Sequence, residues 1–200
     1  MRKALLILFS AALLLSSCGS GTDTDVNTNE HIMKESAISA LSTLDEFKLI
    51  GQDWMLITAG TINSFNTMTA SWGGLGVLWN KNVATIYVRP SRYTHEFIEK
   101  NDRLTLSFFP ESCRPALQVC GSRSGRDCDK VAQAGLHQLE LPSGAITFSE
   151  ARLVLECRKL FKTEMEEENF CDKDIFEEWY SVDEGAPHTI YILEIEKVYE

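Results

Sequence analysis

Along this chain, apolar and β-forming residues come in short runs, with only brief helical stretches between them and no regular strand–helix alternation. Residues 54–62 and 83–88 read as strands, and so do 103–109, where Leu104, Leu106 and Phe108 alternate with polar residues. Residues 145–148 and 152–161 continue the series, and 189–198 close it with Ile190, Ile192 and Ile195 as the apolar set. Short helices are expected at 45–50, stopped by Gly51, and at 94–101, where Thr94 suits an N-cap and Phe97 and Ile98 point inward. Two more are expected at 129–134, ended by Gly135, and at 172–179, whose acidic start suits the helix dipole. A doubly wound sheet needs a long crossover between successive parallel strands, and this chain has no such series. The pattern therefore specifies a mainly β protein with short helices, an antiparallel barrel. No G-x-G-x-x-G follows a strand, which excludes a nicotinamide-binding domain of the Rossmann type.

The first residues have the form of a processing signal. Arg2 and Lys3 precede an apolar stretch over residues 4–15, short of the roughly 20 residues that a membrane-spanning helix needs. Residues 1–17 are thus expected to be a signal peptide. The stretch ends at Leu15-Ser16-Ser17-Cys18, which resembles a bacterial lipobox. Cys18 is then the lipidated residue, and the domain sits outside the cytoplasm, anchored in the cell envelope by lipid alone. Residues 19–30 are small and polar and offer almost nothing to bury, so they read as a flexible tether. The tether, with a short helix, is expected to extend to residue 44, leaving residues 45–200 as one domain.

The formal net charge is −10, and loss of Arg2 and Lys3 with the leader makes the chain more acidic still. Such a surface excludes nucleic-acid binding, which needs a basic face. Of six cysteines, Cys18 is spent on lipid, leaving Cys113, Cys120, Cys128, Cys157 and Cys171. None has a C-x-x-C partner, which argues against zinc and dithiol redox chemistry. The odd number leaves at least one free thiol, and a disulfide among residues 113, 120 and 128 stays open.

Three segments are unusual in combination. Residues 63–74 crowd hydroxyl, amide and small side chains around Trp72, a turn that can present donors to an anion or a ring edge. Taken alone, it is equally an ordinary polar hairpin loop. Residues 87–95 place Arg89 and Arg92 beside Ser91 and Thr94 at a helix start, where guanidinium forks and helix N–H groups match phosphate oxygens. Residues 120–130 are again basic and glycine-rich, with Lys130 expected one turn into the following helix. Ser107 and His95 form no credible nucleophile pair, and no catalytic acid or base is assigned.

The stretches N-T-M-T-A-S-W-G at 66–73, Y-V-R-P-S-R-Y-T-H-E-F-I at 87–98, L-T-L-S-F-F at 104–109, C-G-S-R-S-G-R-D-C-D-K at 120–130 and H-T-I-Y-I-L-E-I-E-K-V at 188–198 resemble, in order, the flavin reductase-like family and its flavoredoxin-type branch. The resemblance implies an antiparallel split β-barrel of Greek-key type, paired as a homodimer, with FMN bound non-covalently near the subunit interface. It places Asn66 and Trp72 near the isoalloxazine ring, with Thr67, Met68 and Ser71 lining the same turn. Arg89, Ser91, Arg92 and Thr94 would hold the ribityl phosphate, Lys130 would reach the pyrimidine side, and Ser124 and His188 complete the binding set. A structural histidine satisfied by a backbone carbonyl is an equal reading of His188. The implied activity is electron transfer from a reduced donor, NAD(P)H or a membrane redox partner, through FMN to flavin, iron or another acceptor. A non-catalytic FMN carrier needs the same cradle, and a pyridoxine-phosphate-oxidase-like barrel fits the 66–73 stretch less well.

Overall fold

The computed structural model describes residues 33–180 and 186–200. The proposed signal peptide, Cys18 and residues 19–30 lie outside the described residues. From residue 33 onward the chain already belongs to the domain. Strand β1 (Glu35–Ser36) pairs with the C-terminal strand, and a 3-10 turn at Ile38–Thr43 packs Ile38, Leu41 and Leu44 on the core. The packed chain thus begins ahead of the boundary expected at residue 45.

Asp45 caps helix α1 (Glu46–Lys48) by accepting from the Lys48 amide at 3.0 Å. Gly51 does not stop it. The chain widens into a π turn over Leu49–Asp53 and leaves it at Trp54, a non-glycine residue with φ of 65°. Strand β2 (Met55–Thr61) then makes a tight hairpin with β3 (Ser64–Ala70), with Thr61 opposite Ser64. Much of the segment read as a polar turn is therefore strand. Its hydroxyls misled because they face partners inside the sheet: Thr67 Oγ1 meets Thr58 Oγ1 at 2.8 Å with both residues fully buried.

Ser71 and Trp72 lead into β4 (Gly73–Leu78), which pairs with β5 (Lys81–Val88). Helix α2 (Tyr93–Lys100) follows with Ile98 buried, and then β6 (Arg103–Phe108). Helix α3 (Arg114–Ser122), which the sequence reading did not find, carries Ala116, Leu117 and Cys120 inward. Helix α4 (Lys130–Ala134) ends at Gly135 in the left-handed conformation (φ 67°). After β7 (Gln138–Glu140) and β8 (Ile146–Phe148), β9 (Leu153–Glu164) and β10 (Thr189–Tyr199) form the longest ladder, with α5 (Lys173–Tyr180) between them in sequence.

The main sheet is antiparallel in the order β3-β2-β6-β9-β10-β5-β4. Its two end strands, β3 and β4, are consecutive in sequence and joined only through Ser71 and Trp72. Three residue steps reach about 11 Å at most. The sheet must therefore curl until its ends nearly meet, yet β3 and β4 do not pair. The result is a barrel with an open seam.

One apolar cluster fills the barrel, including Ile57, Ile86, Leu104, Leu106, Phe108, Leu155, Cys157, Tyr191 and Leu193. A second lies outside β2, β6 and β9, where Leu56, Phe109, Leu117, Phe148 and Val154 pack under α3 and the β7–β8 ribbon. Burial on both faces explains Thr105 and Ser107, which hydrogen-bond the Ile146 carbonyl (2.5 Å) and Thr147 Oγ1 (2.8 Å) across the layers. Ile195 is buried as expected, but the first half of the final strand runs in the opposite phase to the one read from sequence. Tyr191, Leu193 and Ile195 are buried, while Ile190 and Ile192 are only half-buried on the other face. All five described cysteines are free thiols, and burial holds the Cys157 thiol far above its ordinary range.

Candidate functional site

The seam between β3 and β4 opens into two adjoining cavities that share Met68, Thr69 and Arg92. The larger, about 550 Å³, is lined by the end of β3 through Trp72, by Tyr87 from β5 and Arg89 just after it, by Glu178 and Trp179 from α5, and by His188 just before β10. The smaller, about 140 Å³, lies between the start of α2 (Ser91–Thr94) and the end of α3 with its following loop (Cys120–Gly125), with Lys130 alongside.

The turn into α2 is built by a bond from the Arg92 amide to the Arg89 carbonyl at 3.0 Å, which sets the two arginines on either side of Pro90-Ser91. Arg92 is the N-cap residue of α2 and makes no side-chain cap; Thr94 lies inside the helix instead of capping it. Its hydroxyl accepts from Asn66 Nδ2 at 2.7 Å, tying β3 to the helix start. Gly125 closes over this pair: a Cβ there would fall 2.1 Å from Asn66 Oδ1, so only glycine lets the loop descend this far. Arg126 pins the same loop to α2, donating to Glu96 Oε1 (2.6 Å) and the Ser91 carbonyl (3.2 Å) and lying over the Tyr93 ring.

Lys130 is the first residue of α4, not one turn in, because Asp129 caps that helix by accepting from the Ala132 amide. Its ammonium is buried and donates to the carbonyls of Cys120 (3.0 Å) and Arg123 (3.2 Å). Burial, with Arg92 adding to it, lowers its pKa against the opposing pull of the Cys120 and Cys128 thiols. Burial likewise pushes the Cys120 thiol up to about 11. His188 is brought down to about 4 by burial, then by Arg89 and Arg92. Its ring is therefore neutral at physiological pH, and Nδ1 meets the Tyr180 hydroxyl at 2.8 Å. Among the described residues, the partner of His188 is thus a side chain.

Of the residues singled out from the sequence, Met68, Ser71, Trp72, Arg89, Arg92 and His188 line the larger cavity. Met68, Ser91, Arg92, Thr94, Ser124 and Lys130 line the smaller one. Asn66 and Thr67 line neither. Thr67 is in the sheet interior, and Asn66 is a clamp beneath the 124–125 loop, facing a separate cavity of about 540 Å³. The sequence reading missed Glu178, Trp179, Tyr180 and the role of Arg126. The aromatic spacing of Phe176, Trp179 and Tyr180 on α5 was the available signal. Among the described residues no group of His, Cys, Asp and Glu is placed to hold a metal ion.

A family model for the flavin reductase like domain matches residues 47–200. The chain belongs to the flavin reductase-like family. Among solved structures, a flavoredoxin from Methanosarcina acetivorans is 21% identical with a TM-score of 0.58, covering 74% of this chain and 68% of that one. An FMN-binding domain of a flavin reductases-like enzyme from Shewanella baltica superposes at a TM-score of 0.59 and 15% identity, over 84% and 76% of the two chains. An NADH:FAD oxidoreductase from Streptomyces globisporus gives 0.54 and 17%, over 73% of this chain and 74% of that one. These likenesses confirm the antiparallel split barrel. No curated protein matches the chain.

His188 gives this site a signature in stability. The unfolded chain takes up its proton near pH 6.5 and the folded chain only near pH 4, so between these values the unfolded state binds more protons. Stability contributed by the neutral ring is complete above the upper value and is lost as pH falls toward the lower. Urea unfolding at pH 7 and pH 5 should show a smaller loss in His188→Gln than in the parent; equal losses would contradict a buried neutral imidazole.

Proposed function

We propose that this chain is an FMN-binding oxidoreductase, and one observation carries the reading. In a chain of net charge −10, the smaller cavity is lined by Arg92, Arg123 and Lys130 with serine and threonine hydroxyls, and among the described residues no carboxylate faces it. Cationic side chains and hydroxyls gathered around one small cavity draw an anion and match its oxygens. A helix start and a glycine-containing loop supply further N–H donors, the chemistry of a phosphate site. The adjoining 550 Å³ cavity has the size and aromatic walls for a fused ring system. Arg92, Ser91 and Ser124 would hold the phosphate, and Met68, Ser71 and Trp72 the ring. Asn66, Thr94 and Arg126 set the positions of the surrounding loops, and Lys130 supplies positive charge beside the smaller cavity. Bound FMN would supply the electron uptake and release; the chain supplies its cradle, its potential and its access.

The FMN-binding and NADH:FAD oxidoreductase names of the structural neighbours support this class of chemistry. The electron donor is NAD(P)H or a membrane redox partner, and a lipid anchor on Cys18 would hold the domain within reach of the latter. FMN added to the purified full chain should bind with shifted visible bands. Arg92→Ala should weaken FMN at least tenfold while leaving riboflavin, which lacks the phosphate, nearly unchanged. Equal loss for both flavins would remove the phosphate assignment, and a chain that ignores both would remove the cofactor. Bleaching of the bound flavin by a quinol faster than by NADH would identify the membrane donor; the reverse order would exclude it.

The β4–β5 hairpin supports self-association. Val77 is 74% exposed and Trp79 57%, and Phe47, which lines a cavity with Ser71 and Trp72, is 92% exposed. Apolar groups in this number at a sheet edge indicate a covered surface. Light scattering should give the mass of a dimer for the parent and of a monomer for Val77→Glu; a monomeric parent would refute the pairing. Mass spectrometry of the mature protein should show cleavage before Cys18 and added acyl mass, and an intact leader would refute the anchor.

A further inference from the structure

Helix α5 is attached to the barrel in an unusual way. None of its residues is buried, and it meets the seam through its last turn. The Trp179 carbonyl accepts from Arg89 Nη2 at 2.8 Å, and the Arg89 guanidinium lies 5.0 Å from the Tyr180 ring. Tyr180 reaches His188 by its hydroxyl and Met165 by a weaker contact to sulfur. A cation at the carbonyl end of a helix satisfies groups that lack an internal partner and suits the local dipole. The arrangement fixes the end of α5 while leaving the rest of the helix on the surface.

What it fixes there is an indole. Trp179 meets Trp72 at 5.2 Å with the rings at 83°, and each of the two residues remains 44% exposed beside the larger cavity. Trp72 also lies 5.5 Å from the His188 ring, which is uncharged. Two perpendicular aromatic planes form a corner. A third planar ring seated in such a corner stacks on one plane and meets the other edge-to-face, both favoured aromatic geometries. Two half-exposed tryptophans held at fixed angle by a latch are poorly explained by core packing, since neither belongs to an apolar cluster.

We infer that Trp179 is a second ring-contact residue, which with Trp72 forms a corner that receives the conjugated ring of the flavin. Trp179 is brought there from α5 by the Arg89 latch, more than a hundred residues beyond Trp72 in sequence. This assignment rests on the flavin reading above. It separates two parts of recognition: the smaller cavity selects the phosphate, and the corner selects the ring.

The experiment compares FMN, riboflavin and inorganic phosphate on the full chain purified in detergent, following quenching of flavin fluorescence and, for phosphate, its heat of binding. Trp179→Ala should weaken FMN and riboflavin alike, by about tenfold, the scale of one aromatic contact. Phosphate binding should not change, and Trp179→Phe should recover most of the loss. Because Trp179 is half-exposed, the fold should survive, and far-UV circular dichroism checks it; if Trp179→Ala fails to fold, Trp179→Leu is used for the same comparison. Unchanged or tighter flavin binding in the variant, with Arg92→Ala still selectively losing FMN, would overturn the Trp179 assignment and leave the flavin reading intact. A parent chain that binds neither flavin would overturn both.

Discussion

Everything in this structure follows from the short link between β3 and β4. The two strands lie at opposite ends of the hydrogen-bonded order, yet Ser71 and Trp72 are all that separates them in the chain. A sheet with its ends tied so closely has to close, and closure creates an interior that Tyr191, Phe108, Ile57 and their neighbours fill. The same constraint leaves β3 and β4 unpaired, because the link crosses between them instead of turning back as a hairpin. Backbone groups along a seam must find other partners, from other side chains, solvent or a ligand. A binding cleft at this place is thus a by-product of how the barrel closes.

The cleft gathers positive charge that the rest of the chain offsets elsewhere. Arg103 and Arg158 engage Glu194 and Glu196 on the barrel surface, and Lys162 engages Glu99. Those are ordinary exposed pairs of small energetic worth. Lys130 differs, since its partners are backbone carbonyls, and carbonyls neutralise no charge. Arg89 likewise gives one of its bonds to a carbonyl. Burial first, and then the Arg89 and Arg92 charges, keep a proton away from His188.

Much of this was legible in the residues. Strands β2, β6 and β9 carry dense β-formers, and helices α2, α4 and α5 have clear starts or stops, as at Asp129 and Gly135. The elements that escaped are those whose local chemistry points elsewhere. Strand β3 carries hydroxyls that find partners only in the fold, Thr67 across the sheet and Thr69 at the Leu117 carbonyl of α3, and β4 is rich in glycine. Helix α3 begins with Arg114-Pro115 and ends in glycine and serine, so its local pattern is weak and its burial under Phe148 and Leu136 decides it. The phase of the first half of β10 inverted because Ile190 and Ile192 are as apolar as the Tyr191 and Leu193 that face the core. For the site, basic residues marked the phosphate-like region. The clamp that Asn66 forms depends on Gly125, and the position of Trp179 depends on Arg89, ninety residues away, so neither could be placed from sequence spacing alone.

The scattered thiols have a use unconnected with the cleft. Cys157 sits at the centre of the barrel, fully buried, while Cys171 is exposed in the same chain. A thiol reagent needs the thiolate and physical access, and Cys157 has neither until the barrel opens. Its labelling rate is therefore a clock for global opening, and Cys171 in the same molecule calibrates the reagent. The protein thus contains its own reporter of how often the closed sheet comes apart, without any added probe.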